Sequence, residues 1–266
     1  MVNLTSLRIA FVTFTSANDF HALILKLLRL KELSLLWISS PKRKLPIEVP
    51  NPCSGPALER IRVDSGSKNF GLLPYLLHAG LRTVYIDALQ YLELISPAVD
   101  GLKALCEILQ IARSLRHLNL AVLQSTLCRW TSPAPLPLMG LESFVIELGY
   151  QFDSERSDLF LMRWLAASFD AISKPSSLQS LDLKVILFRN HGLQEDDDQM
   201  WLPCTRLDDA LHCAELAQLR QLTIRILWSH LSEDAIVSAR DFMISRFPLA
   251  LKRGILVVTE EKDQLG

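Results

Sequence analysis

The sequence predicts an α/β fold in which short strands and helices alternate many times along the chain. Two observations predict it: one apolar pattern recurs throughout the chain, and the segments between its copies have helical periodicity. The pattern is an apolar residue, two others, a second apolar residue, one other and a third apolar residue. Its eight copies are Leu4-Leu7-Ile9, Leu30-Leu33-Leu35, Leu58-Ile61-Val63, Leu81-Val84-Ile86, Leu115-Leu118-Leu120, Leu141-Phe144-Ile146, Leu178-Leu181-Leu183 and Leu219-Leu222-Ile224.

Each copy predicts a short, half-buried strand. The last two apolar residues of a copy are two positions apart, so in a strand they point to one face while their neighbours point to the other. A degraded ninth copy is predicted in FPLALKRGILVVTEE, residues 247–261, where Leu251 and Leu256 keep the outer positions and Gly254 takes the middle one.

The segments between the copies predict helices. In GLKALCEILQIAR, the residues Leu102, Leu105, Leu109 and Ala112 form one apolar stripe at helical spacing. SANDFHALILKLL and SERSDLFLMRWLAASFDAI have similar patterns. In SEDAIVSARDFMISRF, Ser232 is the predicted N-cap of a helix. The apolar stripe of that helix is Ala235, Ile236, Ala239, Phe242 and Met243.

A strand–helix unit of this size cannot bury both its apolar faces alone, but stacked units can. The compact copies begin 23, 26 or 28 residues apart and the most widely spaced 41 apart, and the compact values match the leucine-rich repeat. We expect one irregular domain over residues 1–266: a leucine-rich-repeat-like solenoid (horseshoe) of eight to nine repeats, with a parallel β-sheet on the concave side and helices on the convex side. Two alternatives are chance matches in a leucine-rich chain and a doubly wound α/β sheet, although the chain has no GxGxxG turn.

The stretches PSSLQSLDL, RSLRHLNL, LAQLRQLTI and FPLALKRGILVV resemble the leucine-rich repeat region of fungal-type F-box proteins. The resemblance implies a substrate receptor, in which an F-box docks on the adaptor of a cullin-based ubiquitin ligase and the repeats hold the protein to be ubiquitinated. The F-box itself is not found in this chain. KLPIEVPNPCSG, residues 44–55, has an LPxE opening, but its prolines predict a loop. Because the chain starts inside a repeat, we expect its N-terminal cap to be missing or replaced by a partner.

Composition and charge argue against several classes of protein. A formal net charge of −1 disfavours nucleic acid as a partner, and the apolar runs are too short to span a membrane. The N-terminus has Arg8 inside its apolar run, which is not typical of a secretory signal. Five scattered cysteines without a CxxC pair suit a reducing compartment, so we expect a cytoplasmic or nuclear protein.

Motifs of catalysis and of metal or cofactor binding do not occur: there is no GxSxG, HExxH or GxxxxGK[ST]. We expect no enzyme, no cofactor and no metal. Cys204, His212 and Cys213, with His191 upstream, lack the short paired spacing of zinc ligands. Leu211 and Leu216 predict that His212 and Cys213 lie along a partly buried helix. PKRK (41–44), DSGSKNFG (64–71), TSPAPLP (131–137) and QEDDDQ (194–199) are interpreted as turns and loops, and what the insertions 39–57, 124–140 and 187–206 bind stays open.

The predicted binding site is the concave sheet face, where residues flanking the last two apolar positions point outward. Charges of both signs beside a tyrosine suit protein recognition, with a merely solvated sheet as the alternative. We expect a non-enzymatic interaction module whose partner is another protein. The alternatives are a stand-alone scaffold without a ligase link and an α/β enzyme with an unrecognised site. The predicted binding residues are Arg60, Arg62, Asp64, Tyr85, Asp87, His117, Asn119, Glu147, Asp182, Lys184, Thr223 and Arg225.

Overall fold

The structure is a computed structural model that describes residues 3–14, 17–38, 55–64, 84–97, 99–122, 134–150, 158–187, 198–228 and 232–262. The predictions for PKRK and for His191 lie outside the described residues, as do those for KLPIEVPNPCSG and DSGSKNFG apart from Gly55 and Asp64.

The chain forms an α/β fold, which confirms the predicted class. Its strands follow one another in the sheet in chain order. Their bounds are β1 Ser6–Ala10, β2 Glu32–Leu36, β3 Arg60–Asp64, β4 Tyr91–Ile95, β5 His117–Val122, β6 Ser143–Tyr150, β7 Ser180–Leu187, β8 Gln221–Trp228 and β9 Leu256–Lys262. The helices of the described ranges are α1 Ala17–Leu25, α2 Val99–Ile111, α3 Asp158–Asp170, α4 Asp198–Ala210, α5 Glu233–Arg246 and α6 Pro248–Arg253, with a 3₁₀ turn at Ala214–Leu216.

The chain divides into two compact units, Met1–Leu120 and Ala121–Gly266. In the first, which we call unit 1, β1 to β4 are parallel and paired in register. Leu33, Ile61 and Leu92 share one level of this sheet and are at most 1% exposed. Each such side chain stabilises the fold by about 1.5–3 kcal/mol through burial, so the repeated apolar pattern determines which strand face is the core.

The second unit, unit 2, is built in the same way from β6 to β9, which are also parallel. Phe144, Leu181 and Leu222 share one level and are 0% exposed, while Leu256 of β9 is half-buried. The pattern thus gives the same register in both units: in the copies of β2, β3, β5, β6, β7 and β8, the second and third apolar residues lie in the strand and face the core.

Two helices form as their stripes predict. Leu102, Leu105, Leu109 and Ala112 are buried on α2 and after its end. On α5, Ser232 is the N-cap, and its side-chain oxygen accepts a hydrogen bond from the backbone N–H of Ala235. The residues buried on α5 are Ile236, Ala239, Phe242 and Met243.

The fourth strand lies further along the chain than predicted. The strand paired with β3 is β4, and its pattern is Leu89-Leu92-Leu94 rather than Leu81-Val84-Ile86. All three leucines are at most 1% exposed, so this copy buries its apolar residues completely. The segment around Tyr85 forms only an isolated bridge with Ala57, before β3 begins.

The ninth copy is also shifted. Leu256 pairs with Leu222 of β8 and therefore holds the middle apolar position, while Gly254 ends α6 in a left-handed conformation, with φ of 73°. Arg253 stands where the earlier copies have their first leucine. Its guanidinium donates hydrogen bonds to the backbone carbonyls of Leu216, Ala217 and Leu219 at 3.0–3.3 Å.

The helix α4 begins inside the insertion 187–206, where the sequence analysis predicted no helix, and it ends at Ala210. The predicted helix at His212 and Cys213 is therefore wrong, because these two residues lie in the turn that follows. α4 begins at Asp198, so Asp198 and Gln199 of the acidic run are helical, and residues 194–197 of that run lie outside the described residues. Asp208 near the end of α4 is 1% exposed. Its carboxylate accepts hydrogen bonds from the backbone N–H groups of Leu249 (2.7 Å) and Ala250 (3.0 Å), and so caps α6 from another helix.

Candidate functional site

The side of the sheet opposite the core, which we call its open face, carries the strand residues that alternate with the buried ones. On β3, Arg60 and Arg62 are exposed and Asp64 is half-buried, while the residues between them are buried. The predicted binding residues that occupy such alternating strand positions are Arg60, Arg62, Asp64, His117, Asn119, Glu147, Asp182, Lys184, Thr223 and Arg225.

Tyr85 and Asp87 are not on the strands of this face, so their predicted placement is wrong. The corresponding positions belong to Tyr91 and Glu93, which lie directly opposite Arg60 and Arg62 in the β3–β4 register. The signal for them was present in LQYLELI, residues 89–95, because this stretch also matches the apolar pattern. Two successive stretches, 81–86 and 89–94, match the pattern for one strand, and tertiary packing determines which of them forms it.

Glu93 is the centre of a polar cluster on the open face of unit 1. Its Oε2 atom lies 3.4 Å from Nε of Arg62 and accepts a hydrogen bond from the Tyr91 hydroxyl at 3.4 Å. Its Oε1 atom accepts a hydrogen bond from Nδ2 of Asn119 at 3.3 Å. The Glu93 side chain is only 13% exposed, so three neighbours hold a carboxylate that burial would otherwise penalise.

Tyr91 links this cluster to Arg60. The Arg60 guanidinium carbon lies 4.7 Å from the centre of the Tyr91 ring, which is a cation–π contact. Burial raises the pKa of the Tyr91 hydroxyl, and the negative charge of Glu93 raises it further. The hydroxyl therefore stays protonated at neutral pH and acts as a donor.

Three arginines on the open face of unit 1 form few ion pairs within the chain. The side chain of Arg62 is 48% exposed, with its Nε atom 3.4 Å from Glu93, and the Arg60 guanidinium lies over the Tyr91 ring. Arg8 of β1 is two strands away from Arg62 at the same level and has no ion pair or hydrogen bond of its side chain with any described residue. In the described part of unit 1, Glu93 is the one carboxylate that forms an ion pair with any of these three arginines.

The cations on the open face of unit 2 are instead neutralised within the chain. Arg225 lies 2.7 Å from Asp182 Oδ2 and 3.3 Å from Glu261 Oε1, and Lys184 lies 3.8 Å from Glu147. Burial alone would lower the pKa of Arg225, but the hydrogen bonds and charges of both acids outweigh it and raise that pKa.

Thr223 holds the predicted register position in unit 2 but is only 7% exposed, and its hydroxyl accepts a hydrogen bond from Nε2 of Gln221. The Thr223 side chain is therefore not accessible to a partner.

The cysteine and histidine side chains in and after α4 are buried or hydrogen-bonded within the fold. Cys204 is 1% exposed, and burial raises the pKa of its thiol to about 12. Nδ1 of His212 lies 2.8 Å from the backbone carbonyl oxygen of Asp208. Among the described residues, no group of three or more His, Cys, Asp and Glu side chains is arranged to hold a metal ion.

Comparisons with protein-family models, with curated proteins and with solved structures find no match to this chain. What the chain binds is therefore inferred from its own residues. In the ranges that the structure describes, no helix is long and apolar enough to cross a membrane.

Proposed function

We propose that this chain is a non-enzymatic protein-binding module, built as a leucine-rich-repeat-like solenoid, and that the open face of its sheet recognises another protein. The observation that carries the proposal is the contrast between the two sides of the strands. One side is filled by the repeated apolar residues, while the other holds arginines, carboxylates and a tyrosine in fixed cross-strand contacts.

Strand order supports the solenoid. Doubly wound α/β sheets reverse their strand order at a switch point, and ligands bind there. In this chain the order runs from β1 to β9 without a reversal, as it does when each strand–helix unit packs on the next one. An intact copy of the apolar pattern accompanies each of the strands β1 to β8, as expected for a repeat architecture.

The residue types of the open face support a protein partner. Arginine and tyrosine are enriched at the energetic centres of protein interfaces, and Arg60, Arg62 and Tyr91 lie side by side in unit 1. Cys204 and Asp208, whose pKa values burial raises, lie on α4 and serve packing and helix capping.

The resemblance to F-box proteins suggests a more specific role, the recognition of a protein that is to be ubiquitinated. A scaffold without a ligase link is the second candidate, because the contacts of the open face are equally compatible with it. Three free thiols, Cys106, Cys204 and Cys213, fit the reducing environment of the cytoplasm or nucleus. No cofactor is required for such a role.

The test is affinity capture from native lysate with the tagged full chain, read by mass spectrometry. Ser143→Arg with Ser180→Arg adds two long side chains at adjacent half-buried positions of the open face. Arg163→Glu with Arg206→Glu changes two exposed arginines on α3 and α4 and serves as the control. We expect partners that the control retains and the open-face variant loses.

Equal capture by this open-face variant, by the control and by Arg60→Glu with Arg62→Glu, which changes the open face of unit 1, would refute the assignment of the open face. Among partners that depend on the face, the ligase adaptor and cullin would support the receptor role. Their absence from a set of such partners would favour the scaffold.

A further inference from the structure

We infer that the open face of unit 1 binds an extended acidic segment of a partner protein through Arg60, Arg62 and Arg8, an inference that rests on the proposed function. The three side chains are exposed, and among the described residues the one ion pair that any of them forms is that of Arg62 Nε with Glu93, which leaves terminal NH groups for a partner. Arginine forms its strongest hydrogen bonds with carboxylates through those terminal groups.

The cluster around Glu93 prepares two of these arginines for a ligand. Glu93 holds Arg62 by Nε at 3.4 Å, which leaves the other side of the guanidinium for a second carboxylate. The Tyr91 ring holds Arg60 at 4.7 Å without using its N–H donors. Because both side chains are already oriented, less conformational entropy is lost when a partner binds.

Two of the three acids on the same surface, Glu93 and Asp64, are less accessible than the arginines. The Glu93 side chain is 13% exposed against 48% for Arg62, and Asp64 is half-buried with an interaction of its own. Glu32 is exposed beside Arg60, but it makes no ion pair with Arg60. An incoming chain therefore meets positive charge first in this part of the sheet.

Spacing specifies the form of the acidic segment. Arg60 and Arg62 are two residues apart on one strand, which separates them by about 6.6 Å. Carboxylates at alternate positions of an extended peptide have the same separation, so such a peptide places one acid on each arginine. Arg8, about 9.6 Å to the side across two strand spacings, is available to a further acid.

Unit 2 shows why the site belongs to unit 1. There Arg225 already contacts Asp182 and Glu261, and Lys184 contacts Glu147, so a partner acid would have to displace an internal one. A nucleic-acid backbone is a poorer fit than a peptide, because Glu32, Glu93 and Asp64 interrupt the positive charge at the spacing of single strands.

The probe is a fluorescent peptide of alternating glutamate and threonine, and binding to the full chain is measured by fluorescence anisotropy at several salt concentrations. Reference probes are the same peptide with lysine in place of glutamate, a peptide with its glutamates grouped at one end, and a single-stranded oligonucleotide. The variants are Arg60→Glu with Arg62→Glu, and the conservative pair Arg60→Lys with Arg62→Lys. Arg163→Glu with Arg206→Glu changes the net charge equally but lies on helices of unit 2.

We expect the alternating peptide to bind more tightly than every reference probe. The double reversal should weaken binding on the order of a hundredfold, because two charge pairs become repulsive. The lysine pair should weaken binding by about three- to tenfold, because charge is kept and the planar guanidinium is lost. The control on the helices should bind like the wild type, and circular dichroism should show that all variants are folded.

Equal binding of the alternating peptide by the double reversal and the wild type would overturn the inference, and so would tighter binding of the lysine peptide or the oligonucleotide. These results would leave the proposed function standing if lysate capture still depended on Ser143 and Ser180. Lysate capture that depended on neither pair, Ser143 with Ser180 or Arg60 with Arg62, would refute the proposed function itself.

Discussion

Asp208 offers the sharpest test of how the C-terminal part of unit 2 is held together. It is the acceptor for two backbone N–H groups of α6, Leu249 at 2.7 Å and Ala250 at 3.0 Å, and its side chain is 1% exposed. The N-cap residue of α6, Phe247, has no side chain that can accept these bonds. Replacement of Asp208 by alanine therefore leaves two donors without an acceptor in the packed interior.

The expected loss follows from these contacts. Hydrogen bonds to a charged acceptor contribute about 1.5–3 kcal/mol each, and the cost of burying the carboxylate offsets part of the sum. We expect Asp208→Ala to lower the free energy of unfolding by about 3 kcal/mol and Asp208→Asn, which keeps one acceptor, by about half as much. Asp209→Asn is the matched control, because Asp209 is exposed and should cost less than about 0.5 kcal/mol.

The effect of Asp208→Asn should depend on pH. Burial raises the pKa of Asp208, against the hydrogen bonds from Leu249 and Ala250 and the charge of His212, which lower it. A carboxyl group with a raised folded pKa binds its proton more tightly in the folded state. Its contribution to stability is therefore complete below its unfolded pKa of about 3.9 and is lost as pH rises through the folded pKa. The asparagine variant, which cannot titrate there, should show its largest deficit at the acidic end.

Urea unfolding followed by circular dichroism measures both effects. With a slope of about 3 kcal/mol per molar urea, Asp208→Ala should shift the midpoint by about 1 M. An alanine midpoint within about 0.2 M of the wild type would refute the capping role. A deficit of Asp208→Asn that grows with rising pH would refute the stated sign of the pKa shift.

Three further changes test other parts of the structure. Ser168→Ala should cost about 1–3 kcal/mol in urea unfolding, because the fully buried Ser168 hydroxyl accepts the Leu136 N–H at 2.9 Å; Ser245→Ala, which loses only a bond to the carbonyl of its own helix, should cost less. Gly254→Ala should lower the free energy of unfolding by about 1 kcal/mol through backbone strain at φ of 73°, and not through a clash, because an added Cβ meets nothing within 4 Å. An unchanged melting temperature would argue against the left-handed cap. Cys204, with a pKa raised to about 12 by burial, should resist alkylation at pH 8 in the folded protein, and mass spectrometry showing it modified as fast as Cys213 would contradict its burial.

The apolar pattern predicts the strands wherever an intact copy has no competing copy nearby. Leu33, Leu181 and Leu222 are buried at the predicted registers, because a shift by one residue would turn every leucine to the open face. Between residues 81 and 94 two copies compete, and the pattern does not rank them. The structure favours Leu89-Leu92-Leu94, in which all three residues are buried, while Ile86 retains 9% exposure.

The charged residues of α4 obscured its helical pattern in the sequence. Its first residues belong to the acidic run, and Pro203 lies inside it, so its pattern resembles a loop. The buried positions Leu207 and Leu211 are four apart, and Asp208 between them is buried because it caps a helix that is distant in the sequence. A carboxylate with such a role cannot be distinguished from a solvated one without the tertiary contacts.

The open faces of the two units differ in which cations are paired within the chain. This difference follows from the cross-strand register and is not visible in the composition. Lys184 lies directly opposite Arg225, a repulsive arrangement, yet Arg225 reaches diagonally to Asp182 and Glu261. Arg62 lies opposite Glu93, while Arg60 lies opposite an aromatic ring and so keeps its donors. Both units have arginines on strands of similar composition. The cross-strand register determines which arginines form ion pairs within the chain and which can bind a partner.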